Sequence, residues 1–142
     1  RKHMKKVSGD QIQAHFGYTD EEMKIFMENP RNADVLSKAP IFAARTIVFE
    51  VVDSHGCNSR HNKGDKLFFD GAGNLLTKRC PEKICIYALA AASNLIFAAG
   101  ELLMAGVDPN EMRFKRTGCF DVGVKCGGWG RVVMECRVED RK

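Results

Sequence analysis

Residues 84–105 have the sequence ICIYALAAASNLIFAAGELLMA, and residues 45–53 have the sequence RTIVFEVVD. The first stretch is apolar, rich in alanine and too long for a typical strand, so it predicts a helix. Pro81 suits the first position of that helix and Gly106 suits its end, so we expect a helix over residues 81–105. The second stretch is β-branched and apolar, which predicts a strand. One long helix beside several strands is typical of an α+β protein.

The segments around these two stretches supply the remaining strands. A polar loop at 54–64 precedes a second predicted strand at 66–70. Residues 114–126 and 131–139 form a third and a fourth predicted strand, joined by Gly-Gly-Trp-Gly at 127–130. Short connections between successive strands favour antiparallel pairing. The predicted fold is a small, mainly antiparallel sheet packed on one long Ala-rich helix.

An N-terminal helical arm precedes this domain and occupies residues 4–40. Thr19 followed by Glu22 is a T-x-x-E capping box, which predicts that a helix starts near Asp20. Pro30 is expected to end that helix, because proline disfavours helical geometry in the residue before it. We interpret the arm as a packing element for the body or for a neighbouring subunit.

The length and the charge of the chain indicate one domain without a nucleic-acid surface. The chain has 142 residues and a formal net charge of +4. Six of its 22 basic residues lie in the first six or the last two positions, which leaves 16 basic against 18 acidic residues. Nucleic-acid binding needs a basic stripe on the folded body, so we expect no nucleic-acid partner. We assign residues 41–142 to a single α+β domain and interpret residues 1–3, before Met4, as a cloning remnant.

The long apolar segment is expected to be a core or interface helix of a cytoplasmic protein. It contains Ser93, Asn94 and Glu101, and polar residues of this kind oppose insertion into a bilayer. We therefore expect no membrane association. The start of the chain carries no pattern typical of a secretory signal, so we expect a reducing cytoplasm and free thiols.

Strand alternation sorts part of the cysteine set. The six cysteines are Cys57, Cys80, Cys85, Cys119, Cys126 and Cys136. Cys136 shares the apolar face of the last predicted strand, and Cys126 shares the apolar face of the strand before it, so both are predicted core residues. Cys119 falls on the opposite, polar face beside Asp121, where its chemistry matters more than its packing.

The remaining cysteines lie in a loop or near a helix start. Cys57 stands in the polar loop with His61 four residues later, and both side chains are ligands for zinc or iron. A metal role for this pair and an unliganded loop thiol are both open. Cys80 and Cys85 flank the predicted helix start, where the positive end of the helix dipole favours a thiolate. Burial of Cys85 against the sheet is the alternative.

Three short motifs between Thr46 and Val138, about two-thirds of the chain, carry a family resemblance. They are Cys-x₃-His-x₂-Gly-Asp at 57–65, Cys-x₂-Ala-Leu at 85–89 with Ile-Phe-Ala at 96–98 and Gly100, and Cys-x-Asp at 119–121. In this order they resemble a small cysteine-containing repeat family of unknown function, found mainly in anaerobic bacteria and archaea. Phe120 stands where that family has a proline, and the Gly-Gly-Trp-Gly turn and the arm are additions.

The resemblance ranks residues and implies no reaction. Cys57, Cys85 and Cys119 are the family-like cysteines. We therefore expect these three side chains to converge, with His61 or Asp121 nearby.

Three functions remain open on the sequence. Three thiolates and a fourth donor would make a zinc site or hold an iron–sulfur cluster, in an accessory or structural subunit. A small enzyme or enzyme subunit would use Cys57, Cys119, His61 and Asp121 for thiol or acid–base chemistry in a pocket between sheet and helix. A structural, homo-oligomeric assembly protein would need no such chemistry.

The predicted helix indicates an interface. Five of its large aliphatic residues already present more apolar surface than one small sheet face is expected to cover: Ile84, Leu95, Ile96, Leu102 and Leu103. An uncovered apolar face marks an interaction surface. We expect a homo-oligomer, and a larger enzyme subunit is a further expected partner.

Overall fold

The computed structural model describes residues 7–142, and the fold over this range is α+β. Four α-helices accompany a four-stranded antiparallel sheet in these residues, and one long helix packs on the sheet. The fold class predicted from the sequence is therefore confirmed. The interpretation of residues 1–3 and of Met4 concerns positions that lie outside the described residues.

The arm consists of three helices, α1 (Gly9–Phe16), α2 (Asp20–Glu28) and α3 (Pro30–Ala43). The Thr19 hydroxyl accepts a hydrogen bond from the Glu22 N–H at 3.2 Å, and the Glu22 carboxylate accepts one from the Thr19 N–H at 2.8 Å. This reciprocal pair satisfies two N–H groups at the start of α2, so the predicted capping box is confirmed. The proline that follows α2 is also the first residue of α3, where its missing N–H costs nothing.

The sheet contains β1 (Arg45–His55), β2 (Lys66–Asp70), β3 (Arg116–Gly118) and β4 (Arg131–Asp140), in the order β2-β1-β4-β3. Every pairing is antiparallel. The longest strands, β1 and β4, lie side by side at the centre and pair from end to end. The predicted strands at 45–53, 66–70 and 131–139 therefore agree closely with the observed ones.

The core lies between one face of the sheet and α4 (Ile86–Met104). Phe49, Met134 and Cys136 contribute fully buried side chains from the central strands. The helix contributes small buried residues such as Ala92, so its backbone can approach the sheet closely. Burial of these apolar side chains is the main favourable contribution to folding.

The observed helix starts later than predicted and ends where predicted. It begins at Ile86 rather than near Pro81, because residues 77–79 form a 3₁₀ turn and the chain up to Cys85 is irregular. At the other end, Gly106 has φ +73°, and its N–H donates to the carbonyl oxygen of Leu103. Glycine tolerates this left-handed conformation and so terminates the helix.

One side of α4 remains exposed. Leu103 is buried and the other four large residues predicted to be surplus are half-buried, whereas Ile86 is 66% and Phe97 71% exposed. The homo-oligomer stays a prediction, and Ile86 and Phe97 are exposed apolar residues of α4 that would contribute to its interface. Among residues 7–142, α4 is the one helix that is long and apolar enough to cross a membrane, by length and composition only, and 22% of its apolar stretch is buried.

The predicted third strand at 114–126 is wrong for most of its length. Only Arg116–Gly118 pairs with β4, and the chain then leaves the sheet. Phe120 is 82% exposed and Val122 56% exposed, although strand alternation would place both on the same face as Cys126, which was predicted to be apolar. Gly123, with φ +81°, lies in the loop that replaces the rest of the predicted strand.

Candidate functional site

A cavity of about 270 Å³ opens where the loop after β1, the start of α4 and the segment after β3 meet. The first segment contributes Cys57, the second Cys85 and the third Cys119. All three side chains are half-buried. These three cysteines were expected to converge, and the structure places all of them in the lining of one cavity.

Two glycines bring the loop of Cys57 against the segment before β4. Gly56 has φ +65°, and a Cβ atom there would lie 2.9 Å from the carbonyl oxygen of Trp129. A Cβ atom on Gly130 would collide with the carbonyl oxygen of Gly56 and lie 2.7 Å from the backbone nitrogen of Cys57. Any side chain at either position would therefore push the two segments apart.

His61 connects the same loop to the start of α4. Its side chain is 5% exposed, and its Nε2 atom accepts a hydrogen bond from the Cys85 N–H at 3.1 Å. Because Nε2 accepts, the proton of the neutral ring is on Nδ1. The Ser54 hydroxyl also donates to the His61 carbonyl oxygen. His61 is not among the residues that line the cysteine cavity. Its hydrogen bond holds the backbone of Cys85 in place without contributing a side chain to the cavity.

Asp121 lines the cavity, but its carboxylate organises the loop that follows. Its Oδ1 atom accepts from the N–H groups of Gly123 at 3.0 Å and Trp129 at 2.9 Å, and its Oδ2 atom accepts from the Gly130 N–H at 2.9 Å. These bonds, the one from Gly130 first, hold the pKa of Asp121 below its ordinary value of 3.8. A Cβ atom on Gly128 would collide with the carboxylate, so the loop wraps it closely.

Two of the three cysteines have local surroundings that are also found at metal-binding thiols. Cys85 is the N-cap residue of α4, and its side chain makes no capping hydrogen bond there. The partial positive charge of a helix N-terminus favours a thiolate ligand. The Cys119 sulfur accepts a hydrogen bond from the Val132 N–H at 3.3 Å. Such N–H···S bonds also occur at the sulfurs of iron–sulfur clusters, where they tune the reduction potential.

The other three cysteines lie elsewhere. Cys136 is 1% exposed, and burial raises its pKa to about 11, so its predicted core position is confirmed. Cys126 is exposed in the 3₁₀ turn Val124–Cys126, so its predicted core position is wrong, because the strand that would have buried it ends at Gly118. The Cys80 sulfur accepts a hydrogen bond from a β2 backbone N–H and lies outside the cavity lining.

The donor atoms are not assembled around a single point. Within residues 7–142, no group of three or more His, Cys, Asp or Glu side chains is close enough to hold one metal ion. His61 and Asp121, the expected fourth donors, already accept protein N–H groups. The cavity is therefore lined by three cysteines from separate segments, and both expected fourth donors are engaged in hydrogen bonds within the part of the chain that the structure describes.

Sequence reasoning missed three residues at this cavity: Tyr87, Trp129 and Arg131. They come from α4, from the Gly-Gly-Trp-Gly turn and from the first position of β4. Tyr87 and Trp129 were assigned only to a helix and a turn, and Arg131 only to a strand. For Trp129, the sequence offered one signal of a role at the cavity: an aromatic residue between two glycines of a turn is expected to be exposed.

Comparison of the chain with protein-family models, with curated proteins and with solved structures found no match. The family resemblance given by the sequence motifs therefore stays a prediction.

Proposed function

We propose that this protein is a small accessory protein that binds an iron–sulfur cluster through Cys57, Cys85 and Cys119. The single observation that carries the proposal is that these three cysteines, from three separate segments, line one cavity. Cysteine thiolates are the standard ligands of such clusters. Ligands from a loop, a helix start and a sheet edge would let the bound cluster hold these elements together.

The lack of a common meeting point for three donors within residues 7–142 suits a cluster better than a single ion. One zinc ion holds all its sulfur ligands at about 2.3 Å, so its cysteines must meet at one point. The described residues contain no such convergence, whereas a cluster distributes its cysteine ligands over several iron atoms. A cavity of about 270 Å³ also leaves more room than one ion requires. Zinc would require the three segments to close further.

Three cysteines leave the cluster one ligand short of the usual four. With His61 and Asp121 engaged in backbone hydrogen bonds, the coordination position without a cysteine would be free for water or a small molecule. That arrangement is suited to binding or activating a ligand as well as to electron transfer. The proposal therefore covers an accessory subunit of a larger enzyme as well as an independent protein.

Among the described residues, the two side chains expected to act as bases in a thiol enzyme are both engaged as hydrogen-bond acceptors. A nucleophilic cysteine needs a proton acceptor within hydrogen-bond reach. The Nε2 atom of His61 accepts the Cys85 N–H, and the carboxylate of Asp121 accepts three N–H groups. Neither side chain is available as a base without breaking the loops that it holds, which is why we rank the cluster first.

The compartment belongs to the same proposal. All six cysteines are free thiols, which suits a reducing cytoplasm. An oxygen-sensitive cluster would also suit the anaerobic organisms of the family that the sequence motifs resemble.

Anaerobic reconstitution tests the proposal. The purified chain is incubated with ferrous iron and sulfide, desalted, and analysed for iron, acid-labile sulfide and visible absorption, with zinc and cobalt in parallel samples. We expect iron and sulfide to bind together and to be lost in Cys57→Ser, Cys85→Ser and Cys119→Ser, but not in Cys126→Ser. Binding of zinc without iron or sulfide would replace the cluster with a single ion, and binding of no metal would overturn the proposal.

A further inference from the structure

An aromatic wall stands at the mouth of the cysteine cavity. Tyr87 and Trp129 line the cavity, and Phe120 stacks on Tyr87 with 5.7 Å between ring centroids and 30° between ring planes. The exposed fractions of these side chains are 56% for Tyr87, 78% for Trp129 and 82% for Phe120. Aromatic side chains are large apolar groups whose burial is favourable, so exposed ones grouped at a cavity mark a binding surface.

A cation without a protein counter-ion lies at the same cavity. Arg131 is exposed, and the described residues give its guanidinium neither an ion pair nor a side-chain hydrogen bond. Asp121 is the only acidic residue among those lining the cavity, and its oxygens accept backbone N–H groups. The positive charge of Arg131 is therefore available to a bound anion, and a guanidinium matches a carboxylate through two parallel hydrogen bonds.

We infer that this cavity binds a small aromatic carboxylate, with its ring against Trp129 and Tyr87 and its carboxylate on Arg131. The aromatic side chains select a flat apolar body, and the unpaired guanidinium selects one anionic group. The volume of about 270 Å³ lies just below the common range of small-molecule pockets, about 300–1,000 Å³, so the cavity has room for a ligand with a single ring and its substituents.

This inference names a ligand class for the cavity of the proposed cluster, and it rests on that proposal only for the metal-loaded protein. The polar residues Asn58 and Ser59 also line the cavity and can supply hydrogen bonds to further substituents on the ring. The three cysteines line the same cavity, so the bound ring would stand close to the metal centre.

Trp129 is the only tryptophan of the chain, so its fluorescence reports directly on this cavity. The probe is benzoate, with benzamide as its neutral analogue and cyclohexanecarboxylate as its non-aromatic analogue. Each is titrated into the metal-free chain and into the anaerobically iron-loaded chain, and calorimetry measures the same affinities. We expect saturable quenching by benzoate and weaker binding of both analogues in both forms.

Two arginine variants test the charge contribution. Arg131→Gln removes the proposed partner of the carboxylate, and Arg113→Gln removes an equally exposed arginine outside the cavity lining. Loss of a hydrogen bond to a charged group should weaken benzoate binding at least about tenfold in Arg131→Gln, with little change in Arg113→Gln. Equal effects of the two variants, equal affinity for benzamide, or no saturable binding would each overturn the inference.

The two proposals fail in distinguishable ways. Benzoate binding without uptake of iron would leave the ligand site standing and remove the cluster. Iron uptake that depends on Cys57, Cys85 and Cys119, without binding of benzoate in either form, would leave the cluster standing and remove the aromatic ligand.

Discussion

Replacement of Gly130 by alanine tests the close approach that brings Cys57 to the cavity. A Cβ atom at this position would collide with the carbonyl oxygen of Gly56 and lie 2.7 Å from the nitrogen of Cys57. Both contacts are to backbone, which cannot rotate away as a side chain can. Overpacking of a filled site costs about 1–3 kcal/mol, and the backbone contacts favour the upper end of that range, about 3 kcal/mol.

Gly118→Ala is the matched control. A Cβ atom on Gly118 would lie 3.8 Å from the nearest atom, the carbonyl oxygen of Val132, which is an ordinary van der Waals contact. Alanine there should change the free energy of unfolding by less than about 1 kcal/mol, in the stabilising direction, because it restricts the unfolded chain. Both variants add one methyl group, Gly130→Ala directly before β4 and Gly118→Ala at the end of β3. They differ in the space that receives the methyl group.

Urea unfolding followed by far-ultraviolet circular dichroism measures the difference. With an m-value of about 2 kcal/mol/M, a loss of about 3 kcal/mol lowers the midpoint of Gly130→Ala by about 1.5 M. The variant should also bind less iron at temperatures where it is folded, because Cys57 moves away from Cys119. Midpoints of Gly130→Ala and Gly118→Ala within about 0.3 M of each other would refute the close approach.

Three further predictions concern the core, the loop and the exposed helix face. Cys136→Ala should lower the free energy of unfolding by about 1–2 kcal/mol, as expected for a small truncation in the core, and leave metal content unchanged. Asp121→Asn should be less stable than the parent at pH 7. The folded state lowers the pKa of Asp121, so the ionised carboxylate stabilises the fold at pH values above the ordinary pKa of 3.8. That contribution is lost as the pH falls through the lowered pKa, so acid titrations of the two proteins should converge; a constant difference would contradict the role of the carboxylate. The exposed residues Ile86 and Phe97 should support a homo-oligomer that Phe97→Glu dissociates, and a parent that is monomeric at micromolar concentration by light scattering would disprove it.

The apolar, Ala-rich and β-branched stretches of the sequence predicted the long helix and the central strands well. In β4 the alternation of apolar and polar residues placed Cys136 in the core, because this strand pairs with β1 from end to end and has one buried face. Where the strand pairing stops, at Gly118, the same argument failed and misplaced Cys126. A carboxylate that binds N–H groups up to nine residues away, as Asp121 does, leaves no periodic trace in the sequence.

The candidate site shows the same division. The motifs selected Cys57, Cys85 and Cys119, and these three line one cavity. The hydrogen bonds that engage His61 and Asp121 depend on the approach of loops that are distant in sequence, so the sequence offered both residues as donors. The aromatic wall was missed for the same reason, since its residues meet only after the chain folds.

Differential alkylation tests most directly whether three cysteines hold one centre. The metal-free chain and the anaerobically iron-loaded chain are treated with iodoacetamide under native conditions, and labelled peptides are quantified by mass spectrometry. The account predicts that iron protects Cys57, Cys85 and Cys119 together, while the exposed Cys126 is labelled in both forms and the buried Cys136 in neither. Protection of only one or two of the three, or of Cys126, would contradict a shared centre in this cavity.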